Sequence, residues 1–290
     1  MKVAVYGRVV KDIYKDVLID FFRILKVKGI EIYTYQPFFD HLREKHSINV
    51  HGVASFSDAS SLPLDADMLF SIGGDGTILD AVSMVRDKGI PIVGINLGKL
   101  GFLANIATDE LPGAMEMLIG GDYTIQERKL LKVETSGFFN DFPYGLNDFT
   151  IQKKSSEMIT VKTFLDGEYL NTYWADGLII ATPTGSTAYS LSVGGPIVVP
   201  TSGNFTISPI SAHNLTVRPV VVPDSTTVKL QVEGNQHFFV SLDHRVQQMK
   251  GKIDILLKKS EFAVKLVQLE NAGYYKTLRN KLMWGFDKRN

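Results

Sequence analysis

The hydrophobic positions of the first 120 or so residues switch period repeatedly. Short continuous apolar runs, the kind that form strands buried on both faces, occur at 3–6, 30–35, 68–72 and 90–95. Between the first two, Ile13, Val17, Leu18, Phe21, Phe22 and Leu25 recur at three- and four-residue steps, with Gly29 placed as a helix stop. Further helices are predicted over 38–45, 78–86 and 111–119, the last closed by Gly120 and Gly121. Strand–helix–strand alternation predicts a mostly parallel, doubly wound sheet. From about Tyr123 the texture becomes β-rich, with runs at 131–135, 150–152, 158–165, 178–182, 205–207, 217–222, 228–232, 238–242 and 253–257. Asp166-Gly167 and Glu233-Gly234-Asn235 read as hairpin turns between such runs. Helical spacing returns at 274–283 through Leu278 and Leu282, as a tail that packs back on the first domain. The expected architecture is therefore α/β plus all-β. A doubly wound domain spans 1–122 with 273–290 returning to it, and a β-rich domain spans 123–272.

Composition narrows the partners. The chain has 31 Lys+Arg and 31 Asp+Glu, a formal net charge of zero, so no global field holds a nucleic-acid backbone or an anionic membrane. Cysteine is absent, which excludes disulfides, thiolate zinc sites and a cysteine nucleophile. No window approaches the ~18 apolar residues of a membrane span, and the amino terminus does not read as a signal peptide, so a cytoplasmic setting is the default. Six histidines show no H-x-x-x-H spacing. Lys153-Lys154 and Lys258-Lys259 read as solvated hairpin ends.

Two clusters carry chemistry. Gly73-Gly74-Asp75-Gly76-Thr77 lies where a buried strand runs into a helix, the place where open α/β sheets hold ligands. Glycines there let a phosphate approach the backbone, and the N–H groups of the following helix favour an anion. Thr77 suits the helix N-cap. Asp75 would repel a phosphate unless it holds a metal or accepts a proton from a hydroxyl attacking a phosphoryl group; a tight turn with an exposed Asp is the plainer alternative. Neither G-x-x-x-x-G-K-[ST] nor a complete G-x-G-x-x-G occurs, which disfavours P-loop kinases and ordinary Rossmann dehydrogenases.

The second cluster runs from Asp176 through Thr182-Pro183-Thr184-Gly185-Ser186-Thr187-Ala188-Tyr189-Ser190-Leu191-Ser192 to Gly194-Gly195-Pro196. A strand opening into a hydroxyl-rich turn reads a purine edge and a ribose, with Tyr189 offering a flat ring, although a Ser/Thr-rich helix cap has the same composition. Asn147-Asp148 places an amide beside a carboxylate, suited to sugar hydroxyls or a base and equally to an Asx turn.

These segments, together with Asn96-Leu97-Gly98-Lys99-Leu100-Gly101-Phe102-Leu103 and Arg218-Pro219-Val220-Val221-Val222-Pro223, resemble the bacterial NAD kinases over nearly the whole chain. The Gly-Gly-Asp-Gly-Thr motif is shared with lipid kinases and phosphofructokinases; the long run around 182–190 is far more specific. The resemblance implies an N-terminal α/β domain, a β-sandwich-like domain and a returning tail. It also implies ATP-dependent phosphorylation of the 2′-hydroxyl of the adenosine ribose of NAD, giving NADP. Asp75 would accept the hydroxyl proton, with Gly73, Gly74, Gly76 and Thr77 beside phosphates. Asn147 and Asp148 would hold adenine and ribose groups and Asp176 the nicotinamide end. Thr184, Thr187, Ala188, Tyr189, Ser190, Leu191 and Ser192 would line the nucleotide site. Mg²⁺ would arrive on the ATP phosphates, and a homo-oligomer (dimer or tetramer) would form. The chain departs from the family pattern at Asp148 (usually Glu), at Trp174 (Arg in many members) and at Asp243-His244-Arg245 (usually Asp-x-Gln). A lipid kinase fits less well, because its Asn-Asp motif follows closely on the glycine cluster, whereas Asn147 lies 147 − 75 = 72 residues beyond Asp75. A non-catalytic NAD-binding sensor is the alternative from another class, and the retained Asp75 argues against it.

Overall fold

In a computed structural model, the structure describes residues 1–48, 52–99, 101–270 and 273–284. They form two compact units, one of residues 1–127 plus the chain from Val264 onward, the other of residues 128–263.

The first unit contains β1 (Lys2–Gly7), α1 (Lys15–Val27), β2 (Glu31–Tyr35), α2 (Gln36–His46), β3 (Ala54–Phe56), β4 (Met68–Gly73), α3 (Asp75–Val85), β5 (Ile92–Asn96), β6 (Ile106–Ala107), α4 (Leu111–Gly120) and the start of β7 (Tyr123–Val133). Its strands pair in the order β5-β4-β1-β2-β3, all parallel, with β6 alongside β5. The apolar runs become these strands because both faces are covered: Val3, Val5, Leu69, Phe70 and Val93 are wholly buried. Leu18, Phe21, Phe22 and Leu25 form the buried stripe of α1, and Gly29 ends that helix with φ +65°. Strand order reverses between β1 and β4, so the ligand-binding crevice of this fold lies at their carboxyl ends, at Gly7 and Gly73.

The local start of α3 differs from expectation. The helix begins at Asp75, not near Ile78, and Gly74 is the N-cap, so Thr77 does not cap it but lies in its first turn. Apolar spacing could not show this, because the Gly-Asp-Gly-Thr turn contains no apolar position. A Cβ on Gly73 would lie 2.1 Å from the Thr77 hydroxyl, so that hydroxyl packs against the preceding strand end.

The second unit continues with β8 (Tyr144–Gly145), β9 (Asp148–Lys153), β10 (Ile159–Leu165), β11 (Glu168–Ala175), β12 (Gly177–Ala181), α5 (Tyr189–Ser192), β13 (Asn204–Ile210), β14 (Val220–Pro223), β15 (Val228–Leu242) and β16 (Arg245–Leu269). The first part of β16 belongs to this unit and its end to the first, where α6 (Tyr274–Leu282) follows. Neighbours β14-β13-β12-β9-β15-β16 are antiparallel, and the β10–β11 hairpin joins the first half of β15. Phe149, Phe205, Phe238, Ile151 and Ile180 are among the wholly buried side chains between the layers.

Asp166 and Gly167 make the expected two-residue turn with φ of 49° and 89°, the values a type I′ hairpin requires. Residues 233–235 do not turn. There β15 runs straight through, pairing with β10 before the glycine and with β9 after it, with a register shift between Gly234 and His237. The glycine serves a bulge that lets one strand serve two partners. The true reversal is at Asp243-His244, where Leu242 faces Arg245. Lys258 and Lys259 likewise lie inside β16, bonded to Glu134 and Asp224, and are not a hairpin end. No helix among the described residues is long and apolar enough to cross a membrane.

Candidate functional site

At the β4–α3 junction the Asp75 carboxylate turns onto the backbone of the 96–104 segment. It accepts the N–H of Phe102 on Oδ2 (2.8 Å) and those of Leu103 (3.0 Å) and Ala104 (2.9 Å) on Oδ1. Asn96, at the end of β5, closes the same loop by donating its amide to the carbonyls of Lys99 (2.8 Å) and Ala104 (3.3 Å), while the Leu97 N–H reaches the Gly73 carbonyl (2.8 Å). Gly101 passes directly over the acid: a Cβ there would sit 1.8 Å from Asp75 Oδ1. Leu100 lies outside the described residues. A carboxylate offers about four lone-pair positions. Among the described residues three are filled by backbone donors, and the one left is on Oδ2. Gly74 is half-buried and Gly76 exposed, and neither Cβ would meet an atom within 4 Å, so the start of α3 presents open backbone.

In the second unit Asn147 and Asp148 open β9. Asp148 pairs in register with Ala181, at the end of β12, and the Asn147 carbonyl accepts the Thr182 N–H at 2.8 Å. The 182–188 turn lies on this corner, where Gly185 is compulsory because its Cβ would lie 2.0 Å from the Asn147 carbonyl oxygen. Thr182 donates to the Leu146 carbonyl (2.5 Å), Thr187 to that of Thr184 (3.3 Å) and Ser186 to that of Pro183 (2.7 Å). Much of the hydroxyl content therefore builds the turn. Ser190 is wholly buried with its hydroxyl 3.1 Å from that of Ser208, whereas Tyr189 and Ser192 are exposed and Thr187, Ala188 and Leu191 half-buried. Asp176 stands at the other end of β12, where Gly177 faces Gln152, four residue steps or about 13 Å away. Its carboxylate pairs with Lys153 (2.6 Å), and the Tyr189 hydroxyl accepts from Gln152 (3.3 Å), so the Tyr189 side chain reaches the Asp176 end. Thus Asn147, Asp148, Thr184 and Thr187 cluster at one end and Asp176 with Tyr189 near the other. Trp174 is 58% exposed, and His213 is exposed.

Electrostatics single out Asp148. Its side chain is buried, touched by the Thr150 hydroxyl at 3.0 Å, and burial pushes its carboxyl up to about 7, with the neighbouring Asp243 adding to the rise. Burial also pushes Asp243 up, against three backbone N–H bonds and Arg245 that pull it down. Strongly displaced acids in one place mark functional sites. The sign for stability follows from proton counting. An unfolded Asp148 ionises near the ordinary aspartate value of 3.8, whereas the folded one keeps its proton to about 7. Its contribution is therefore favourable below pH ~4 and is lost as pH rises to about 7. Asp148→Asn is expected to leave the melting temperature near that of the parent at pH 4 and to raise it relative to the parent above pH 7. Melting curves across pH 4–8 check this; a constant difference would show that Asp148 does not titrate in that window.

Sequence reasoning did not find the roles of Phe102, Leu103 and Ala104, which act through backbone N–H groups, nor that of Asp243. The residue-level signals were the glycines at the points of closest approach, Gly101 and Gly145, and the Asp243-His244-Arg245 departure from the family pattern.

The chain matches the model of the ATP-NAD kinase N-terminal domain over residues 11–123 and that of the ATP-NAD kinase C-terminal domain over 146–269. It is 46% identical over 269 residues to an NAD kinase of Cytophaga hutchinsonii, covering 92% of each chain. With an NAD kinase of Flavobacterium johnsoniae it shares 42% identity over 295 aligned positions, covering all of both chains. Among solved structures it is similar to yeast NADH kinase complexed with NADH, with a TM-score of 0.85 and 23% identity over 99% of this chain and 88% of that one. It is also similar to an NAD kinase from Archaeoglobus fulgidus in complex with ATP, with a TM-score of 0.75 and 23% identity over 98% and 99% of the two chains. These two likenesses establish the fold. With both halves matched and relatives above 40% identity along nearly the full length, the chain belongs to the ATP-NAD kinase family of phosphotransferases.

Proposed function

We propose that this kinase transfers the γ-phosphoryl group of ATP to the 2′-hydroxyl of the adenosine ribose of NAD, with Asp75 Oδ2 accepting the hydroxyl proton. The observation that carries the reading is the state of that carboxylate: among the described residues three of its lone pairs face backbone donors at 2.8–3.0 Å and one on Oδ2 stays open. An acid held this way has a fixed direction and one vacancy, which suits a base that must meet a single hydroxyl. In the step, the ribose O–H bond breaks as its oxygen bonds the γ-phosphorus. The bond to the bridging oxygen breaks, ADP leaves with that electron pair, and the proton passes to Asp75. Such a transfer depends mainly on alignment and charge neutralisation.

Asn147 and Asp148 hold adenine and ribose groups, Asp176 the nicotinamide end, and Thr184 with Thr187 to Ser192 line the nucleotide; the inward hydroxyl of Ser190 acts there through packing. Open backbone at Gly74 and Gly76, with Gly73, lies beside phosphates; Thr77, buried and with its N–H bonded to the Gly74 carbonyl at 2.9 Å, supports that turn from within. Among the described residues no three His, Asp or Glu side chains converge. Mg²⁺ would arrive on the phosphates of ATP and neutralise their charge. The relatives whose structures hold NADH and ATP support this substrate pair. A cytoplasmic homo-oligomer is the corresponding setting.

Incubation with NAD, ATP and Mg²⁺, followed by NMR location of the new phosphate, tests the reading. A 2′-phosphate on the adenosine ribose is expected. A phosphate on any other hydroxyl, or NAD binding without product, overturns it and in the second case favours a sensor.

A further inference from the structure

We infer that Asp243 is the positioning residue for NAD: its carboxylate fixes the backbone of residues 146–148 and so aims Asn147 and Asp148 without touching substrate. The inference rests on the reading of those two residues given above.

Asp243 occupies the β15–β16 turn in a left-handed conformation, φ 54°, as Asp166 does in the β10–β11 turn, a region that Asp enters more readily than most residues. Its carboxylate is 3% exposed and accepts three consecutive N–H groups, from Leu146 (2.9 Å, on Oδ2) and from Asn147 (2.7 Å) and Asp148 (3.3 Å, both on Oδ1). The Asp243 N–H returns a bond to the Asp148 carbonyl at 2.9 Å. Two residues on, Arg245 donates to the carbonyls of Phe142 and Tyr144, and its guanidinium lies 4.0 Å from Asp243 Oδ2. Between these anchors Gly145 lets the chains touch, since a Cβ there would sit 2.6 Å from Leu242 Cδ1 and 3.3 Å from Asp243 Oδ1. The segment 142–148 is thus fastened to one turn by its own backbone atoms, gripped by the Asp243 carboxylate and the Arg245 guanidinium.

The Asn147 side chain, by contrast, makes no hydrogen bond to any described residue, so its direction comes from its backbone. A buried carboxylate is an expensive way to hold a loop unless placement matters, because burial of charge costs several hydrogen bonds' worth of free energy. The same device recurs at Asp75, which holds 102–104 by three consecutive N–H groups.

The test compares the parent enzyme with Asp243→Asn, Arg245→Gln and Asn147→Ala. In Asp243→Asn the new amide faces at least one of the three N–H donors. The KM for NAD is expected to rise about tenfold, the loss of roughly one charge-assisted hydrogen bond, with kcat changed less than about threefold. Amide proton signals of Leu146 and Asn147 should move upfield in the substrate-free variant. Unchanged KM for NAD, or a fall in kcat alone, overturns the inference. If Asp243→Asn does not fold, Arg245→Gln decides: a KM increase of about threefold supports the inference and an unchanged KM overturns it. Asn147→Ala separates the two levels. Should it leave KM for NAD unchanged, the assignment of Asn147 fails; should it raise KM while Asp243→Asn does not, only the positioning role fails.

Discussion

Replacing Asp75 with asparagine is expected to lower the turnover of NAD by about 10²–10⁴-fold, the usual contribution of a positioned general base. NAD affinity should stay within a few-fold of the parent. The geometry makes the outcome informative. An asparagine oxygen at the Oδ1 position still accepts the N–H groups of Leu103 and Ala104, so the 96–104 loop keeps two of its three bonds to this side chain. The amide nitrogen then faces the Phe102 N–H, donor against donor, and the open Oδ2 lone pair is gone. The lost bond to Phe102 lowers the melting temperature whichever role Asp75 has; a purely structural Asp75 would in addition show weaker NAD binding, with turnover following affinity. A catalytic Asp75 shows collapsed turnover beside near-normal calorimetric NAD binding. Turnover within threefold of the parent removes Asp75 from the chemistry altogether.

The difference between these outcomes reflects what a sequence records. The doubly wound half was legible because strands buried on both faces leave continuous apolar runs such as Met68 to Ile72. Both β3 and β6 escaped notice because they are three and two residues long. The strand β11 escaped because only Tyr173 and Ala175 in it are buried, leaving no apolar run. At Glu233-Gly234-Asn235 the composition of a hairpin turn was present, but a glycine in a strand serves a bulge equally well, and pairing with β16 on both sides decides between them. The candidate site divides the same way. Asp75, Asn147 and Asp176 stand out by residue type. Their supports do not, because they are backbone N–H groups 27 to 29 residues from Asp75 and 95 to 97 residues from Asp243. Any residue but proline supplies an N–H, so only the glycines at the tightest approaches, Gly101 and Gly145, carry a trace of the contact.

That trace yields the second large expected effect. Gly101→Ala puts a methyl group 1.8 Å from Asp75 Oδ1 and 2.5 Å from its carboxyl carbon, far inside contact distance. Either the carboxylate rotates away from Leu103 and Ala104 or the loop lifts off the β4–α3 junction. In both cases the acid moves by about an ångström or more, a misplacement that costs a catalytic group about 10²-fold. Turnover is expected to fall by at least that factor, although no charged or polar side chain has been altered. Gly98→Ala is the matched control. It lies in the same loop with, among the described residues, only Asn96 Oδ1 within 4 Å, at 3.7 Å, so its methyl group meets ordinary contact and turnover should stay within about threefold. If Gly101→Ala and Gly98→Ala behave alike, the loop does not set the direction of Asp75, and the single open lone pair on Oδ2 loses its meaning for the reaction. If only Gly101→Ala is impaired and the larger Gly101→Val is worse still, steric pressure on one carboxylate governs the rate.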